Sequence, residues 1–221
     1  MSIAPSRTKQ PIKLGPWSNG MMMTPEEFDA VTDYDDQYVY ELIHGVLVVS
    51  PIPGAEERGP NETLAHWLFL YRDQHPQGSA LDATLPEHTL AFRDNRRRAD
   101  RAIWCGLGRQ PDEETDIPAI VAEFVSKRKR DRVRDYEEKR REYAALGVRE
   151  YWVIDRFDRT MTVFKNLPGE PSEVVVKAEE TYRTPLLSGF ELPLARLLKV
   201  ADDWAQSAAR PKKPSRRKPP Q

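Results

Sequence analysis

The sequence predicts an α/β domain, and three neighbouring features predict it. Pro118 to Val125 is an apolar run broken only by Glu123, bounded by a proline and a basic cluster, and reads as a buried strand. Arg132 to Leu146 has helical spacing, and Gly147 stands where a helix C-terminus favours glycine. Tyr151 to Ile154 is a second apolar strand directly after it. A chain of 221 residues suits one domain with a sizeable core.

The remaining elements follow in order. Residues 1–22, rich in proline and glycine, predict an extended arm, and 23–205 the folded domain. Thr24-Pro25-Glu26-Glu27 is a capping box with proline at the first helical position, so a short helix starts there. Tyr38 to Ser50 predicts two strands around a turn at His44-Gly45. Leu64, Trp67, Leu68 and Tyr71 set a helix over Asn61 to His75. Strands are expected at Ala80–Leu85, His88–Phe92 and Arg101–Cys105, then a polar loop over 106–117. After the central unit, Arg149–Asp155 and Thr160–Lys165 read as a hairpin. Ser172–Lys177 and a short strand near Thr181 extend the sheet. Leu194, Leu197, Leu198, Ala201 and Trp204 predict a closing helix.

Composition narrows the function classes. Charged residues are 31% and hydrophobic residues 39% of the chain, as in a soluble globular protein. No apolar stretch approaches the roughly 20 residues of a membrane span, and the N-terminus lacks a signal-peptide core, so a cytoplasmic protein is expected. The single cysteine, Cys105, excludes an internal disulfide and a cysteine zinc site, and reads as an inert buried thiol. The last twelve residues hold six basic residues, four prolines and no acid, so 206–221 reads as a disordered tail. Arg96, Arg97 and Arg98, with Lys127, Arg128 and Arg130, form basic clusters beside candidate acids. A phosphate-binding surface has this character, and so does a solvated face. His44, His66, His75 and His88 show no metal-ligand spacing, and Glu137, Glu138 and Glu142 read as a solvated helix face.

Glu123 carries the sharpest question. A carboxylate inside a buried strand is costly unless a cation or a metal pairs with it. A metal site and a structural ion pair both satisfy that requirement, and the residues alone leave the two level.

Several segments share a wider resemblance. Tyr40-Glu41-Leu42-Ile43-His44-Gly45, Ala99-Asp100, Ala122-Glu123-Phe124-Val125-Ser126, Arg134-Asp135-Tyr136-Glu137-Glu138-Lys139 and Gly147-Val148-Arg149-Glu150-Tyr151-Trp152-Val153-Ile154-Asp155 occur in that order. Together they resemble the Uma family of putative restriction endonucleases, within the PD-(D/E)XK nuclease superfamily. The similarity runs from about Met23 to Phe164. It implies the restriction-endonuclease-like fold, a mixed central sheet flanked by helices. It implies Asp100 as the first metal-binding aspartate, with Ala99 where the superfamily has proline. Glu123 matches the acid of the (D/E)XK element, and Glu41 an additional acid near the start of the fold. The superfamily's lysine falls two residues after that acid, where this chain has Val125. The resemblance implies that Lys139 takes its place, with Lys127 as the rival because even spacing along a strand shares a face.

What the resemblance implies is an endonuclease that hydrolyses DNA phosphodiester bonds with Mg²⁺, or Mn²⁺, held by Glu41, Asp100 and Glu123. Mg²⁺ takes oxygen ligands. Analogy with superfamily members that cut both strands implies a homodimer. Two other classes stay open: a catalytically inactive nucleic-acid-binding module of the same fold, and a structural protein whose acids pair internally. Ala99 and the displaced lysine motivate the first of these.

Overall fold

The computed structural model describes residues 12–126, 134–166 and 172–209, the side chains at 134, 135 and 209 excepted. In chain order the elements are β1 (Lys13–Leu14), a 3₁₀ turn (Pro16–Ser18), α1 (Pro25–Asp29), β2 (Asp33–Tyr34), β3 (Tyr38–Ile43) and β4 (Val46–Pro51). Then come α2 (Ala55–Gln74), β5 (Leu81–Phe92), β6 (Asn95–Cys105) and β7 (Ile120–Phe124). A π-type turn (Arg134–Glu138) leads into α3 (Lys139–Leu146), followed by β8 (Glu150–Asp155), β9 (Thr160–Lys165) and β10 (Ser172–Lys177). β11 (Thr181–Tyr182), β12 (Leu192–Pro193) and α4 (Leu194–Ala209) close the described chain.

The central sheet runs β10-β9-β8-β7-β6-β3-β4, with β5 alongside β6. Its pairs are antiparallel except β7 with β8, which are parallel. Parallel neighbours need a crossover, and the segment containing α3 supplies it. Alternation along β7 and β8 sorts the two faces. Ile120, Ala122, Phe124, Trp152 and Ile154 pack with Leu64 and Leu68 of α2 and with Leu194, Leu197 and Leu198 of α4. Val121, Val125, Tyr151 and Val153 pack with Tyr143 of α3. Glu123 shares the parity of Val121 and Val125, so its side chain is delivered to the α3 face.

Several boundaries differ from those read in the sequence. α2 starts at Ala55 rather than Asn61 and runs through Pro60, because the stretch Ala55–Pro60 carries no apolar spacing that marks it as helix. The two strands expected over Ala80–Phe92 are one, β5, and β6 begins at Asn95 rather than Arg101. The NRRRADR stretch hid that strand, since Arg97 and Arg101 are polar by type yet almost wholly buried. Within the span expected as an arm, Lys13 and Leu14 pair with Asp33 and Tyr34, and Leu14 is buried. The end of α3 follows the reading, with Gly147 at a left-handed φ of 105° at its C-terminus; the expected start at Arg132 lies outside the described residues, and Arg134–Glu138 is a π-type turn before the α-helix proper begins at Lys139. Thr24 caps α1 reciprocally with Glu27, as its capping box requires. No helix among the described residues is long and apolar enough to cross a membrane.

Candidate active site

β6 carries β5 along one edge for its whole length. Its other edge is shared by two strands: β7 pairs at Arg101–Ile103 and β3 at Arg96. The sheet therefore forks beside residues 97–100, and side chains stand where a strand would. Glu41 Oε1 accepts the Arg98 N–H at 3.1 Å, and Lys139 Nζ donates to the Arg98 carbonyl at 3.3 Å. The same ammonium lies 2.8 Å from Glu123 Oε1 and 4.0 Å from Glu41 Oε1. Tyr143 donates its hydroxyl to that Glu123 oxygen at 3.1 Å. All four side chains are buried, Lys139 being 2% exposed.

The helix is what brings the cation in. Lys139 and Tyr143 are four residues apart, so both project from one face toward the sheet. Glu142 sits beside them and anchors that face: its carboxylate takes Arg97 Nε at 2.7 Å, Arg97 Nη2 at 2.8 Å and Asn95 Nδ2 at 2.9 Å. Asn95 Oδ1 in turn accepts the His44 N–H at 2.7 Å, linking α3, β6 and the β3–β4 turn. This corrects the expectation that Glu142 lies on a solvated face; Glu137 and Glu138 do lie there. Burial works against the Arg97 charge, but its hydrogen bonds and attraction to Glu142 more than offset it, so its pKa stands above the ordinary value. The Tyr143 hydroxyl is held well above the usual range by burial first and by the neighbouring Glu123 and Glu41 second, so it acts as a donor.

Asp100 occupies the crotch of the fork. The register Arg101↔Ala122 sets it opposite Glu123 on the adjoining strand. Its Oδ2 accepts the Phe124 N–H at 2.7 Å, and Asn61 Nδ2 of α2 holds its carbonyl at 2.8 Å. Asn61 Oδ1 also takes Arg101 Nε at 2.6 Å, so one side chain fixes two consecutive residues of β6. At the same level on β5, between the pairs Pro86↔Arg101 and His88↔Ala99, Glu87 adopts a φ of 52°. A left-handed glutamate inside a strand is a strained departure of the kind that gathers at functional sites.

The arginine triplet is engaged within the protein. Arg96 forms a forked pair with Asp29, Arg97 is buried against Glu142 and Glu138, and Arg98 meets Glu87 at 2.8 Å. Lys127, Arg128 and Arg130 lie outside the described residues. Sequence reasoning brought Glu41, Glu123 and Lys139 to attention, and these share one locus, with Asp100 a strand away. It missed Asn61, Asn95, Arg97 and Glu142 as the supports of that locus. The stripe Lys139, Glu142, Tyr143, Leu146 was the available signal for Glu142.

The donor chemistry suits a hard divalent ion. Glu41, Asp100 and Glu123 offer carboxylate oxygens, and Mg²⁺ is usually held by one or two carboxylates together with water. Among the described residues no three His, Cys, Asp or Glu side chains gather closely enough to hold a metal ion by themselves.

The model of the Uma2 family, described as putative restriction endonuclease, matches residues 25–195. The chain belongs to Uma2. The Uma2 domain here is also similar in fold to the crystal structure of a putative nuclease belonging to DUF820 from Anabaena variabilis ATCC 29413. The two share 18% identity and a TM-score of 0.64, over 81% of this chain and 99% of the other. No curated protein matches this Uma2 chain.

Proposed function

We propose that this protein is a metal-dependent endonuclease that hydrolyses DNA phosphodiester bonds. Asp100 and Glu123 hold Mg²⁺, or Mn²⁺, with Glu41 as an accessory acid, and Lys139 is the catalytic cation. The observation that supports this most is the buried Lys139 ammonium, 2.8 Å from Glu123 and 4.0 Å from Glu41, at the fork beside Asp100. A structural ion pair needs only one acid and one base; here a second acid, a third beside it and a strained backbone stand around the pair.

When bound, the metal supplies an activated water and charge shielding on the scissile phosphate. The chain's own residues do the rest. Lys139 and Tyr143 fix one Glu123 oxygen, and the Arg98 N–H fixes one oxygen of Glu41, so the carboxylates are oriented before substrate arrives. Lys139 faces the charge that develops on the phosphate, in buried surroundings where a fixed cation acts more strongly than in water. Lys127, Arg128 and Arg130 come a few residues after Glu123 in the chain and contact the DNA backbone in this reading.

Single-turnover cleavage with saturating protein, alongside a DNA-binding titration, tests it. Asp100→Ala, Glu123→Ala and Lys139→Ala lose metal-dependent cleavage, while Lys139→Ala keeps most DNA affinity because its contribution belongs to the transition state. Lys127→Ala weakens binding modestly and cleaves at a near-normal rate. Normal cleavage by Lys139→Ala with loss in Lys127→Ala overturns the lysine assignment. DNA binding without cleavage by the unmutated protein, on every DNA and divalent ion tried, overturns the enzyme reading in favour of a binding module.

A further inference from the structure

We propose that β10 is a self-association edge, through which two copies of this chain join their sheets antiparallel. The inference stands apart from the catalytic reading and rests on which sheet edges are covered.

Among the described residues the sheet offers three outer strands, β4, β5 and β10. On β4, the Gly20 N–H donates to the Leu47 carbonyl and the Leu47 N–H to the Met21 carbonyl, and Met22 bridges Val46, so segment 20–22 covers that edge. On β5, Pro86 lacks a donor and Glu87 is left-handed, two devices that stop an edge from accepting another strand. β10 has neither. Its sequence, SEVVVK, contains no proline or glycine, and among the described residues it pairs only with β9. Val174 and Val175 are 38% and 51% exposed.

The outward-facing backbone groups can be identified. The Asn166 N–H donates to the Arg149 carbonyl, so even-numbered residues of β9 face β8 and odd-numbered ones face β10. Val163 pairs with Val174 and Met161 with Val176, so even-numbered residues of β10 bond to β9 and odd-numbered ones point outward. Lys177 confirms the parity. Its N–H donates to Glu180 Oε2 at 2.6 Å and its carbonyl accepts the Glu180 N–H at 2.9 Å, which closes that end of the edge. Glu173 and Val175 remain, each presenting a donor and an acceptor.

A two-fold axis through Val174 uses all of these groups. Glu173 of each copy then opposes Val175 of the other, forming four N–H···O bonds, and Val174 meets its own counterpart in the closely spaced, non-hydrogen-bonded position. Glu173, whose carboxylate also meets Arg140 of its own chain at 3.4 Å, lies diagonal to Lys177 of the second copy, within reach of a long side chain, so opposite charges meet at both ends. The contact is isologous and closes at two copies.

Sedimentation of the full chain over a concentration series tests this, with no need for metal or DNA. The chain is expected to dimerise. Val175→Pro removes an outward N–H without touching the β9 ladder, so it weakens the dimer by about tenfold or more while the melting transition stays in place. Val175→Lys, which sets unpaired charge at the interface, gives the same loss should the proline variant fail to fold. Val174→Cys gives a disulfide-linked dimer on oxidation, since facing Cα atoms about 4.5 Å apart fall within disulfide range. The native thiol, Cys105, is buried and does not compete. Leu107→Cys, at an exposed position off this edge, does not cross-link in the same way. A chain that stays monomeric throughout the series, or a dimer that survives both Val175 variants, overturns the proposal and leaves the cleavage tests untouched.

Discussion

Lys139→Met keeps most of the stem that α3 buries and removes only the ammonium, which isolates the electrostatic contribution of the site to stability. The ammonium touches Glu123 at 2.8 Å, Glu41 at 4.0 Å and the Arg98 carbonyl at 3.3 Å. Taking it away removes a cation from beside two carboxylates that are 3% and 4% exposed. Breaking a buried pair by removing one partner costs about 3–5 kcal/mol. At about 2–4 °C per kcal/mol for a domain of this size, the melting midpoint falls by on the order of 10 °C. Scanning calorimetry in chelator measures this without stabilisation from bound metal. The double variant Lys139→Met with Glu123→Gln removes one of the two buried charges that lost the ammonium, so it melts above the single Lys139→Met variant. A Lys139→Met midpoint within about 0.5 kcal/mol of the parent, the range of a neutral surface change, refutes the pairing. The same geometry reverses a simpler expectation. Three bare acids side by side would gain stability when one is removed, whereas here Glu123→Ala leaves a buried ammonium short of its nearest partner.

Three further outcomes follow from buried groups elsewhere. Glu150 accepts from Trp152 Nε1, Tyr182 O–H and Thr184 Oγ1 at 2.9, 3.0 and 2.9 Å, so Glu150→Ala orphans three donors and destabilises by about 3 kcal/mol in denaturant melts. Burial raises the Cys105 thiol to about 11, so the folded chain resists alkylation at pH 8 and reacts only on unfolding; rapid native labelling contradicts this. Burial lowers the pKa of His88, which packs edge-on to Trp104 with Glu113 acting weakly the other way. It stays neutral in the fold where the unfolded chain binds a proton, so its contribution is present above about pH 6.5 and is lost as pH falls through the lowered value. Thermal melts from pH 7 to 5 should therefore decline less steeply in His88→Phe than in the parent.

The sequence made β7, the α3 C-terminus and the β8–β9 hairpin legible because each announces itself locally. Apolar runs mark the strands, Gly147 the stop, and Asp155 caps the turn by accepting from the N–H groups of Phe157 and Asp158. It also made Glu123 conspicuous, since an acid in an apolar run demands a partner. The supports of the site were hidden for the opposite reason. Arg97, Arg101, Asn61, Asn95 and Glu142 are polar residues in polar stretches, and only their partners from distant segments make burial tolerable. Hydropathy read along the chain cannot distinguish such a residue from a solvated one. The arginine triplet shows the same limit: three consecutive charges that look like one surface have three different destinations.

The fork in the sheet also sets the order in which the site can be completed. Glu41, Asp100 and Glu123 arrive on β3, β6 and β7, while the ammonium that organises two of them arrives with α3, after all the acids. The ribosome releases the chain in that direction, and distant contacts wait for the chain between them to be ordered. β7, moreover, gains its second neighbour only once β8 has followed α3. A chain stalled before this point holds the acids without their cation and lacks a flanking strand to align them. Whatever chemistry the finished site performs is thus withheld from truncated and nascent products, a timing control written into the connectivity alone.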